Sequence, residues 1–91
     1  MRRREIEAVA LRYIRQAAKR GADEDFKSAL IEALHSADRE YRSRIIFYRT
    51  APGDHQEGRK RCWQRYVDTV EAVAMVARGY RRQQPEAVWL M

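Results

Sequence analysis

The stretch from residue 24 to 49, EDFKSALIEALHSADREYRSRIIFYR, decides the fold. Phe26, Leu30, Ala33, Leu34, Ala37, Tyr41, Ile45 and Tyr48 recur through it at helical spacing, for about six turns of 3.6 residues. Neither glycine nor proline interrupts the period. Asp23 stands where an N-cap belongs, and Glu24 and Asp25 follow in the first turn, where the helix dipole favours negative charge. One long amphipathic helix is therefore predicted over 24–49.

Upstream, Ile6, Val9, Ala10, Tyr13, Ile14 and Ala17 share one arc, with Arg4, Arg12, Arg15 and Lys19 opposite. This predicts a helix over 3–20, stopped by Gly21 in the left-handed conformation that glycine adopts without a Cβ penalty. Downstream, Thr50-Ala51-Pro52-Gly53-Asp54 breaks the period, and a third helix is predicted over 57–82. Its apolar arc, Trp63, Tyr66, Val67, Val70, Val73, Ala74, Ala77 and Tyr80, is widened by Cys62 and Val76 to nearly half the wheel. A helix with so wide an arc packs against two neighbours. Pro85 ends the pattern, and 85–91 forms an apolar tail ending Val88-Trp89-Leu90-Met91. The expectation is a single all-α, three-helix domain over 1–91, dominated by an antiparallel hairpin of its second and third helices.

Composition narrows the function classes. Nineteen basic residues, sixteen of them arginine, stand against thirteen acidic ones, for a net charge of +6. Such a surplus favours nucleic acid or an acidic protein surface as partner. The single Cys62 permits no internal disulfide and suits a reducing, cytoplasmic setting. No apolar run approaches the roughly 20 residues of a membrane span. Cys62, His35 and His55 are scattered, so no zinc-ligand spacing arises, and no glycine-rich phosphate loop or catalytic triad is present. Arg49 and His55 are spaced similarly to the Arg–His pair of HEPN-type helical ribonucleases. With sixteen arginines in 91 residues that spacing is close to chance, and no role is carried over from it. The reading is of a non-enzymatic protein with no cofactor, no metal and no small-molecule substrate.

The charge is unevenly placed. Residues 1–20 carry seven basic and two acidic groups, residues 21–50 five and six, and residues 59–91 seven and three. Closing the hairpin brings Asp23, Glu24 and Asp25 toward Arg78, Arg81 and Arg82, with Lys19 and Arg20 alongside, so mutual neutralisation is expected at the open end. At the tip, Arg42, Arg44 and Arg49 meet Arg59, Lys60, Arg61 and Arg65, opposed only by Asp54, Glu57 and, a little below, Glu40. Basic groups in a helix's first turn face its positive dipole end, at a cost of a few tenths to ~1 kcal/mol. Charge placed against local stability points to a ligand, so these seven residues are the candidate site for nucleic acid or another anionic partner. Phe47 and Trp63 lie close enough to stack on bases, Phe47 being the better exposed. Ile31, Ile46 and Phe47 fall outside the core arc. With Trp89 and Leu90 of the tail they form the candidate surface for a protein partner or for a homodimer, the basis of a second reading as a helical adaptor or inhibitor of a larger protein.

Overall fold

Each of the three helical periods folds as a helix in the computed structural model, which describes residues 2–81: α1 (Arg3–Lys19), α2 (Glu24–Thr50) and α3 (Gln56–Arg78). No strand occurs among the described residues. The signals that set the junctions are local. Asp23 accepts a hydrogen bond from the Phe26 amide at 2.8 Å and starts α2. Gly21 adopts a φ of 103°. The amides of Gly21 and Ala22 bond back to the carbonyls of Ala18 and Ala17, closing α1 with a Schellman motif. Gly53, at φ 100°, turns the chain between α2 and α3.

Five of the six predicted helix ends lie within a residue of their place, and the sixth does not. α3 stops at Arg78, not at 82, because Gly79 serves as its C-cap. Glycine is a poor helix former, and the Tyr80 ring just beyond it packs on Phe26 with centroids 5.0 Å apart, which holds the chain against the start of α2. The tail 85–91, with Trp89 and Leu90, lies outside the described residues.

The wide apolar arc of α3 has the expected consequence: α1 and α2 both pack along α3 and touch each other much less. Ala10, Ala17 and Ala77 are fully buried and let α1 and α3 approach closely, while Ile6, Ile14, Leu34, Ala37, Tyr66, Val70 and Val73 complete the core. A polar link crosses it, where the Tyr66 hydroxyl donates to the Glu7 carboxylate. Burial, and then the bond to Glu7, push the Tyr66 pKa well above that of a free phenol. A proton held more tightly in the folded than in the unfolded chain stabilises the fold below the unfolded pKa of ~10, and that contribution fades as pH rises further. Tyr66→Phe is therefore expected to flatten the alkaline decline of the melting temperature above about pH 10, relative to wild type. An equally steep decline in the variant would show that folding does not hold the Tyr66 proton more tightly.

α1 covers only part of the hairpin. The Arg3 guanidinium at its start lies 3.2 Å from Asp38 and 5.9 Å from the centre of the Tyr41 ring. α2 runs nine residues past Tyr41 to Thr50, about 14 Å at 1.5 Å per residue. Beyond this level α2 and α3 continue as a two-helix arm. No helix among the described residues is long and apolar enough to cross a membrane.

Candidate functional site: the basic hairpin arm

The arm holds together with little apolar burial. Tyr48 packs over Gly58, so closely that a Cβ on that glycine would sit 2.6 Å from the Tyr48 ring. The same ring meets His55 at 5.3 Å and Phe47 at 5.4 Å between centroids. His55 Nε2 is 2.9 Å from the Pro52 carbonyl, and Asp54 accepts from the Gln56 amide at 3.1 Å. His55 and Asp54 thus shape the turn and the first amides of α3.

All seven candidate basic residues, Arg42, Arg44, Arg49, Arg59, Lys60, Arg61 and Arg65, lie exposed on the arm or at its base. The structure divides them. Arg42 is held 3.1 Å from Asp38, the carboxylate that also meets Arg3, and Arg65 reaches across the hairpin to Glu40 at 3.2 Å. Arg44, Arg49, Arg59, Lys60 and Arg61 form no ion pair among the described residues. The face with Arg42 continues from the side where α1 docks. The other face carries a groove between α2 and α3, whose walls present Arg44 from α2 and Arg61 and Arg65 from α3. Tyr41, Cys62 and Tyr66 line it, with Tyr48 and Gly58 at its outer end. Its volume of about 180 Å³ falls below the roughly 300–1,000 Å³ usual for small-molecule sites.

The remaining candidates sort by burial. Trp63 is partly buried, edge-on to Tyr41 and stacked on Tyr66 at 5.7 Å, and belongs to the core. Ile31 is likewise packed against the core. Ile46 and Phe47 stay 60% and 58% exposed, because α1 ends short of them. Met75 and Val76 are also exposed, an apolar pair that the period of α3 had placed partly on its core arc.

The open end differs from expectation. Asp23, Glu24 and Asp25 form no ion pair with Arg78 or Arg81 among the described residues. Asp23 caps α2 and Glu24 pairs with Lys27 at 3.1 Å. Arg20 donates instead to the Ala77 and Arg78 carbonyls at 3.0 and 3.3 Å, and Arg78 lies over the Tyr13 ring. Unpaired carbonyls at a helix C-terminus and an aromatic face compete successfully with distant carboxylates for an arginine.

Two features escaped the sequence reading. Asp38 ties α1 to α2, but nothing in its spacing marks its partner as Arg3. The Tyr48–Gly58 contact did leave a signal: the two residues lie five positions either side of the turn at Gly53. Among the described residues no three of His, Cys, Asp and Glu come together as metal ligands. Comparison of the chain with protein-family models, curated proteins and solved structures finds no match.

Proposed function

We propose that this protein is a non-enzymatic binding protein that engages nucleic acid, alone or within a nucleoprotein complex, through its basic hairpin arm. The observation that carries this reading is the arm itself: it extends past α1 and bears five basic side chains without an ion-pair partner among the described residues. Arginine's planar fork matches phosphate oxygens in pairs, so such a surface gains affinity from the backbone without reading bases. Arg59, Lys60 and Arg61 lie next to one another in the early turns of α3, where an anion would also meet the positive dipole end.

The test is binding of a generic labelled oligonucleotide over a range of salt concentrations. Wild-type affinity is expected to fall steeply with salt. Replacing Arg59, Lys60 and Arg61 by alanine is expected to weaken binding on every sequence alike and to reduce the salt slope by about 1 for each phosphate no longer neutralised. Unchanged affinity and slope in the triple variant would overturn the assignment.

A second reading, a helical adaptor docking on a larger protein, draws on exposed Ile46 and Phe47 beside the arm. It places the energy in apolar contact, so Ile46→Asp with Phe47→Asp would abolish partner binding while leaving oligonucleotide binding in place.

A further inference from the structure

The hairpin register places like charges face to face. Tyr48 of α2 meets Gly58 of α3, and Glu40 of α2 meets Arg65 of α3. Arg44 stands midway between Glu40 and Tyr48, and Arg61 lies between Gly58 and Arg65, so in this antiparallel register the two arginines oppose each other across the groove. Both line it, and neither has an ion pair among the described residues. Two guanidiniums on opposite walls repel unless an anion lies between them. The groove's other arginine, Arg65, is held by a half-exposed carboxylate on the opposite wall. Glu40 is the one carboxylate lining this groove.

We propose that Arg44 and Arg61 form a site for a single phosphate group of a nucleic-acid backbone, and that Glu40 is its internal competitor for Arg65. This rests on the nucleic-acid reading above and gives it a place and a control. A phosphodiester between the walls accepts one fork from each, in the geometry that suits planar guanidinium donors. Arg65 then turns from Glu40 to the phosphate as a third donor. The groove volume of about 180 Å³ suits one charged group and not a whole drug-sized ligand.

The experiment measures fluorescence anisotropy of a labelled single-stranded oligonucleotide with the full chain at matched salt, with circular dichroism confirming that each variant is helical. R44A/R61A is expected to lose at least about tenfold more affinity than R49A/K60A, which removes the same charge from other faces of the arm. R44K/R61K, keeping charge without the fork, is expected to fall between wild type and R44A/R61A, and it covers the case in which the alanine pair misfolds. E40Q is expected to tighten binding several-fold more than E57Q, which makes the same charge change in the first turn of α3. Inorganic phosphate is expected to displace the oligonucleotide at lower ionic strength than chloride does.

Equal losses in R44A/R61A and R49A/K60A, with wild type still binding, would overturn the groove site and leave the arm reading intact. No difference between E40Q and E57Q would overturn the competitor role of Glu40. If wild type holds inorganic phosphate at the groove but no oligonucleotide, the nucleic-acid source is overturned. If wild type binds neither, the arm reading falls with the site.

Discussion

Ile14→Ala is expected to cost ~3 kcal/mol of stability, from the lost burial of the side chain and the cavity left behind. Ile14 is 2% exposed, and it belongs to the buried row, Ile6, Ala10, Ile14 and Ala17, that α1 contributes to the core. The flanking alanines cannot swell to fill the space. α1 has little second support, because it touches α2 far less than it touches α3, with Arg3 reaching Asp38 and Tyr41 at one end. A domain of this size has roughly 5–15 kcal/mol in total, so the substitution removes a large share of it. The melting temperature should drop by about 12–24 °C at 4–8 °C per kcal/mol. Hydrogen exchange should show the α1 amides losing protection before those of the hairpin, since α2 and α3 keep their own seam. A loss below ~1 kcal/mol, or equal deprotection of all three helices, would mean that α1 is not held as described. The arm lies beyond α1, so oligonucleotide affinity should change far less than stability.

The parts of this fold legible in the sequence are those fixed within a few residues. The period of α2, the cap at Asp23 and the left-handed turn at Gly21 each depend on neighbours in the chain, and all are found as read. The end of α3 was only partly legible: Gly79 marks it locally, but the contact that holds the chain there is between Tyr80 and Phe26, more than fifty residues apart. The open end failed for a different reason. Residue type places Arg20 and Arg78 near acidic partners, but which acceptor a long side chain takes depends on reach and competition. Arg20 finds the last carbonyls of α3, and Arg78 finds the Tyr13 ring. The arm shows both situations at once. Its seven basic residues were legible as charge, and the pairing of Arg42 with Asp38 is a local contact four residues apart on one helix, whereas the pairing of Arg65 with Glu40 follows only from the hairpin register. Toward the tip that register includes a contact made through shape and not through charge, between Tyr48 and Gly58.

This contact makes Gly58 the position where a small change should reach the arm most directly. A Cβ there would lie 2.6 Å from the Tyr48 ring carbon Cζ and 2.8 Å from both Cε1 and the hydroxyl oxygen, distances that no packed atoms hold. Gly58→Ala thus forces the ring away or the helices apart, at an expected cost of about 1–3 kcal/mol for overpacking. Against this, alanine favours a helix over glycine by up to ~1 kcal/mol. The overpacking cost is expected to win, because the clashing atoms belong to a rigid ring held between Phe47 and His55 and not to a flexible chain end. The diagnostic comparison is a double-mutant cycle with Tyr48→Ala. Removing the ring vacates the space above Gly58, so Gly58→Ala in that background should be neutral or stabilising, leaving a coupling energy of about 1–3 kcal/mol. Additive effects in the cycle would show that the two residues are not in contact and that the register of the arm is wrong. The same cycle read by oligonucleotide affinity has a separate consequence. Splaying the walls at Gly58 separates Arg44 from Arg61 without altering charge, so Gly58→Ala alone should weaken binding. The double variant, with the clash relieved, should recover part of the loss. A surface that binds by charge alone would register neither change.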